Sequence, residues 1–496
     1  MVRQLWRAGR SPIAFVGMVA IAVMTLWGCQ GLGGNGYTWT AADVTNPENF
    51  GQPKNWTPDG GPPGDAELAR VEWLDTRTST IVRFTDGVVN RRLEVLGGNV
   101  VFDLDGNEYT LAEGADEPSL AAVLVGSDPQ GNHASSLTII NGTLFGRYIY
   151  VMSGLPGQSP SSRPKLPGLI VRPEAILRSR PDDPTGQATA KLNVGLYDDD
   201  FFCEGLTWCD RDGLVSVQGV AELEHVYVGT PNSTFYVHNG GRARIEQSLN
   251  GRGLLKLANG ADVLARNVRV DNGAIAHSNL TALERLEIDQ TYSVTGDSRI
   301  MSQVGIVAGP TASLTAVGDQ SLWQTARLFV GGDETDSWHN TNIPELPQGL
   351  LSLEDGASAV VDESFKVYLA GSVELDNGNI LGSEGLVVDV EGRLCGTGQI
   401  RANLANNGGT VCFPGMLRIS GGYTQMANGT LETLISGRSL GTDYGEFQVE
   451  GPASLSGTLV VTIASDFALA PEGETFALLR AGMLAGTFDQ IEVNGA

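Results

Sequence analysis

The densest concentration of ligating side chains is Asp198-Asp199-Asp200, with Glu204, Asp210 and Asp212 close behind and Cys203 and Cys209 bracketing the segment. Carboxylate oxygens at this density are the donor set of a hard cation, Ca2+ above all. If an ion binds, its ligands are Asp198, Asp199, Asp200, Asp210 and Asp212. The competing expectation is a solvated, disulfide-stapled loop in an acidic protein, and no cofactor is then needed. Aromatic chemistry concentrates near the start, where Trp39, Trp56 and Trp73 accompany a turn-rich run from Asn55 to Asp65. Trp39 and Trp56 are candidates to stack on a carbohydrate, or to close one end of a hydrophobic core.

Catalytic constellations are harder to assemble, so an enzyme is not the leading expectation and catalytic residues are assigned to none. The five histidines, His133, His225, His238, His277 and His339, have no metal-ligand spacing. A glycosidase needs paired carboxylates beside a groove, which an acidic chain supplies in excess. The Gly-His-Gly and Arg-Ile-Lys phrases of polygalacturonases do not occur. A lyase would need an Arg or Lys base beside a Ca2+ site on neighbouring strands, which a linear sequence does not display. No P-loop, Rossmann fingerprint or serine elbow sits on a strand-turn-helix pattern. The run Asp103-Leu104-Asp105-Gly106-Asn107 opens like a calcium loop but lacks the Glu that closes an EF-hand loop. A β-turn is expected there.

These residues must be positioned by an unusual chain. Its 496 residues carry 57 acidic against 32 basic side chains, a formal charge of −25, and 65 are Gly. Phosphate contacts need clustered Lys and Arg, so nucleic acid is not an expected partner. The glycine excess points to many turns and short strands. Arg3, Arg7 and Arg10 precede an apolar stretch from Ile13 to Trp27. That is the layout of an export signal, shorter than a membrane span.

Export agrees with the cysteines. Beyond Cys29, four remain in two local groups, Cys203 with Cys209 and Cys395 with Cys412. An oxidising compartment would pair them within each group. A four-cysteine zinc site is the alternative, but the C-x2-C spacing it needs is missing.

One phrase recurs through the centre: apolar, any, apolar, any, then a Gly, Asn or Asp followed by Gly. Copies begin at Leu93, Leu137, Phe235, Leu255, Leu351, Val373 and Leu417. Alternation with period two is a strand with one buried face. The Asn-Gly, Asp-Gly or Gly-Gly pair tolerates positive φ and lets the chain turn a corner. A unit of about 22 residues is a solenoid period, since stacking buries the face that one strand cannot bury alone. The expected fold is all-β, a right-handed parallel β-helix with capping β-rich flanks; a sandwich or propeller is the alternative. Its expected organisation is a signal at 1–28, a Gly-rich tether at 29–36, a cap at 37–92, repeats at 93–412 and final rungs at 413–496. At the first outward place of the copies stand Glu94, Thr138, Tyr236, Lys256, Ser352, Glu374 and Arg418. That mixture favours a structural surface over a catalytic one.

Two resemblances sharpen this reading. Leu26-Trp27-Gly28-Cys29 resembles a bacterial lipobox. It departs from the usual pattern at Trp27, and an ordinary signal peptide with an incidental Cys is the alternative. The match implies lipidation of Cys29 and an exported chain held at the outer membrane or cell surface by that lipid anchor alone. Gly396-Thr397-Gly398-Gln399-Ile400, Asn406-Asn407-Gly408-Gly409-Thr410-Val411, Phe413-Pro414-Gly415 and Gly486-Thr487-Phe488 resemble the last rungs of bacterial autotransporter-like passenger β-helices. The opening around Asn55-Trp56 is similar to theirs. This resemblance covers about half the chain and implies a surface role in structure, adhesion or matrix contact. Partners would be polysaccharide or other surface proteins. A carbohydrate-active β-helix enzyme and a carbohydrate- or Ca2+-binding module are the alternatives. Metabolic labelling with a palmitate analogue is predicted to mark the wild-type chain and to fail on Cys29→Ala; label retained by the variant would remove the anchor.

Overall fold

The computed structural model describes residues 36–40, 48–58, 60–72, 79–112, 121–126, 135–153, 167–179, 190–195, 212–333, 348–383, 385–468 and 473–495. Within them the protein is all-β, with 39 strands in one long mixed sheet and no α-helix. A three-residue 3-10 turn, Pro53–Asn55, is the only helical element among the described residues. Gly36–Trp39 and Trp56–Thr57 form the one antiparallel strand pair described. All the other described strand pairings are parallel, and they join segments well apart in sequence.

The register follows from the period-two pattern. Val215 stands beside Phe235, Phe235 beside Leu255, and Leu351 beside Val373. The steps of 20, 20 and 22 residues are the repeat legible in the sequence. Each of these side chains is fully buried, and together with their counterparts they form one apolar cluster from Trp39 to Ala453. Their odd-even neighbours Tyr236, Lys256 and Glu374 point away from it and are partly or wholly exposed. At about 1.5–3 kcal/mol for each large apolar side chain buried, this column is the main source of stability.

Corners are made where the phrase places them. Asn141, Asn239, Asn259, Asp355 and Asn377 have φ of 54°, 53°, 56°, 52° and 57°. Asn and Asp tolerate this left-handed region better than other side chains. The corners also stack: the Asn259 side-chain amide donates to Asn239 Oδ1 at 3.2 Å. His277 occupies the next such corner at φ 49°. Asp105 and Gly106 form the turn expected between Asp103 and Asn107.

The two ends differ. At the start, Trp39, Phe50 and Trp56 pack edge to face and in stacks, with Trp39 and Trp56 centroids 5.1 Å apart. The Trp56 indole donates to the Phe50 carbonyl at 2.8 Å. At the other end, Leu484, Ile491 and Val493 sit beside the inward-facing Ala453, Leu459 and Val461, yet they are 55%, 63% and 62% exposed.

Opposite responses are predicted for neighbouring residues of Arg242–Ala258. Leu257→Asp puts a carboxylate into the apolar column and should cost several kcal/mol. Lys256→Asp loses a cation–π contact with Tyr236 and should cost under about 1 kcal/mol. Equal losses in chemical denaturation would mean that this register is wrong.

Candidate functional site

Following the register outward from the core defines a continuous face. One column of side chains runs Ile170, Ser216, Tyr236, Lys256, Ala274, Ser293, Thr315, Ser352, Glu374, Cys395, Cys412 and Glu432. Beside it runs a second, from His238 through Ala258, Ala276, Thr295, Val317, Glu354 and Asp376 to Thr397. Consecutive members are a strand spacing apart, about 4.8 Å. Five of the seven outward residues singled out in the sequence share the first column, reached through Thr138 beside Ile170. The other two do not: Glu94 stands beside Arg70 and Leu124, and Arg418 beside Gln399 and Gln448. They belong to other faces.

The early part of the face is aromatic and basic. Tyr236 and His238, two residues apart on one strand, stack with centroids 4.1 Å apart and planes 8° from parallel. The Lys256 ammonium lies 4.9 Å from the Tyr236 ring centre. His238 Nε2 is 2.9 Å from Ser216 Oγ, and Arg172 Nη1 donates to Gln218 Oε1 at 3.3 Å. Burial pushes the His238 imidazole below its usual range against a raising hydrogen bond from Asn239, and the charges of Lys256 and Arg172 push it the same way as burial. His238 is thus neutral near pH 7, leaving Lys256 and Arg172 as the cations. Neither has an ion-pair partner among the described residues.

The late part of the face is acidic. A groove of about 780 Å³ is lined by Glu354, Glu374, Asp376, Arg393, Glu432, Cys395 and Cys412 among others. Arg393 Nη1 lies 3.5 Å from Glu432 Oε2, and Ser352 Oγ donates to Glu354 Oε1 at 2.8 Å. Glu374 and Asp376 are exposed and have no ion-pair partner among the described residues. Cys395 and Cys412 are register neighbours with Cα atoms 4.5 Å apart, and they form the disulfide expected from their spacing. The bond ties two adjacent strands at the floor of the groove.

The remaining sequence candidates separate. Trp39 is 2% exposed and Trp56 fully buried. Both rings face Phe50 and each other, so the carbohydrate-stacking role does not survive: these tryptophans close the core. Cys29, Cys203, Cys209, Asp198, Asp199, Asp200 and Asp210 lie outside the described residues. Asp212 is described, and its Oδ1 accepts from Thr230 at 2.7 Å while its carbonyl accepts from the Ser153 amide. Among the described residues no group of three or more His, Cys, Asp or Glu is arranged to hold a metal. Gly437-Arg438-Ser439-Leu440-Gly441 has the spacing of a serine elbow. It forms a turn between strands, with the Ser439 carbonyl accepting from the Asp443 amide and the Ser439 amide donating to the Asp443 carboxylate. An elbow needs a following helix, so this serine has a turn-forming role.

The acidic groove itself was missed in the sequence, because its carboxylates come from strands at 351–354, 373–376 and 430–435 and meet only through the register. Comparison with protein-family models, with curated proteins and with solved structures finds no match to this chain. Replacing both Cys395 and Cys412 by Ser opens a bond that closes a 17-residue separation. It is predicted to lower unfolding free energy by about 3 kcal/mol in the chain-entropy account. A double variant as stable as wild type would show that the bond is dispensable to the fold.

Proposed function

We propose that this chain is a right-handed parallel β-helix of the autotransporter-like kind, displayed at the cell surface as a structural, adhesive or matrix-contact element. Its export signal and lipidated Cys29 would hold it to the outer membrane. The observation that carries this reading is the unbroken apolar column under parallel strands, which makes a long rigid body. Other faces support it, because several of their charges pair along the stack. Arg70 and Arg92 meet Glu94, Arg178 meets Glu222, and Arg269 meets Glu287 and Asp289. Such ladders stabilise and solubilise a surface without chemistry.

The acidic groove favours a second reading, a polysaccharide-binding or polysaccharide-cleaving module. Carboxylates gathered on one face over neighbouring strands are what a carbohydrate-active β-helix would show. Glu354 and Asp376 are register neighbours, and Glu374 lies two residues from Asp376. Paired acids for glycoside hydrolysis stand roughly 5 to 9.5 Å apart, a range these strand positions span. The residues lining the groove include no aromatic ring, which a sugar-binding cleft ordinarily uses for stacking.

Expressing the full chain in a Gram-negative host separates the two. Membrane-impermeant biotin on intact cells should label the wild-type chain, and Cys29→Ala should leave the membrane fraction. Release of reducing ends or unsaturated sugars from a polysaccharide panel, abolished by Glu374→Gln with Asp376→Asn, would replace the structural reading with the enzymatic one.

A further inference from the structure

The face described above is electrically segregated along its length. Lys256 and Arg172 stand at one end, and Glu354, Glu374, Asp376 and the Glu432–Arg393 ion pair, net negative, at the other. Between them the columns carry Ala258, Ala274, Ala276, Ser293, Thr295, Thr315, Val317 and Ser352, none charged and none larger than valine. Among the described residues of these two columns nothing tall intervenes to keep a flat partner away. Lys256, Arg172, Glu354, Glu374 and Asp376 have no ion-pair partner among the described residues, in contrast with the Arg–Glu ladders on the other faces.

We propose that two copies of this chain associate through this face, antiparallel, about a twofold axis that runs along the strand direction midway between Ser293 and Thr315. An isologous contact needs a surface complementary to itself, and the register provides it. Lys256 and Glu374 are five strands apart, with Ala274, Ser293, Thr315 and Ser352 between them. The axis therefore sets Lys256 against the partner's Glu374, and Ala258 against the partner's Asp376. Lys256 then meets two carboxylates across a gap that the alanines leave open. The same operation sets the strand of Ile170 and Arg172 against the strand of the partner's Glu432. Each contact occurs twice. An axis parallel to the stack would instead set like charges together.

The dimensions suit a stable dimer. From Ile170 to Glu432 the column takes eleven steps, about 53 Å at about 4.8 Å per strand. A strand of five residues is about 16 Å long, so the strip covers roughly 850 Å², near the ~800 Å² that each partner of a standard interface buries. This inference rests on the strand register and is independent of the surface role proposed above.

A charge exchange tests it. The full chain in mild detergent is examined by light scattering and lysine-reactive cross-linking at 10 to 100 µM. Wild type is expected to be dimeric and to dissociate as salt is raised. Lys256→Glu and Glu374→Lys should each weaken association at least tenfold, and the double variant Lys256→Glu with Glu374→Lys should recover it. Both side chains are exposed, and circular dichroism and melting checks that every variant is folded. A wild-type monomer over this range overturns the proposal, as does a dimer unmoved by either substitution. Lys256-dependent binding of a uronic-acid polysaccharide to a monomeric chain would assign the basic end to an anionic glycan instead. Failure here leaves biotin labelling of intact cells unaffected, so the two readings fall separately.

Discussion

A strand of five residues with one apolar face cannot hide that face by itself, and this constraint shapes the molecule. Each strand here obtains cover from the strands paired to its two edges, about twenty residues away in the regular stretches and further where a longer segment intervenes, and from the apolar column it shares with other faces. Hydrogen bonding imposes the same solution, since every interior strand has its backbone groups satisfied on both edges. The consequence is that each strand's stability depends on the strands at its two edges. A defect such as a buried charge at position 257 acts on its own strand and on the two beside it. The disulfide between Cys395 and Cys412 reinforces one such junction covalently.

The ends show what happens where the constraint is not met in the same way. At the N-terminal end, chain reversal brings Trp56 beside Trp39, and the large rings supply the cover that a preceding strand would give. Phe50, Phe84 and Tyr109 extend this aromatic plug inward, with centroids 4.5 to 5.7 Å apart. Burial on this scale holds the Tyr109 hydroxyl protonated well beyond the usual tyrosine range, and it donates to Asn90 Oδ1 at 2.7 Å. The side chains that could have stacked on sugar are those that seal the core, the other role that their type allowed.

Much of the architecture was legible because period-two alternation and left-handed corners are local properties. Phe235 and Leu255 announce buried strands, and Asn239 and Asn259 announce corners, from a few neighbours each. His277 was not legible as a corner, because no Gly follows it and positive φ is uncommon outside Gly; its carbonyl accepts from the Gly260 amide as that of Asn259 does from Gly240. The assignment of residues to faces was not legible either. Alternation separates inward from outward, but Glu94, Glu374 and Arg418 occupy the same place in the phrase and still lie on different faces. Insertions before and after a copy decide which side of the stack it meets. The carboxylates of the groove are therefore invisible as a group until the register is known.

The same geometry determines how charge can act on this molecule. With a formal charge of −25, a stack of strands about 4.8 Å apart would place carboxylates in repelling rows unless they are interleaved. On other faces several are paired with arginine: Glu94 with Arg70 and Arg92, Glu222 with Arg178, and Glu287 and Asp289 with Arg269. On the face through Lys256 and Glu374 only Glu432 is so paired, with Arg393, and the remaining charges are separated by sign over a distance set by the number of strands. Neighbouring opposite charges could have been placed there as easily as elsewhere, at a gain of up to about 1 kcal/mol for each exposed pair. A linear surface that forgoes this and keeps its midsection bare has charge left for recognition. What it recognises must match both the axial spacing and the order of sign, and a reversed copy of the face does so by construction.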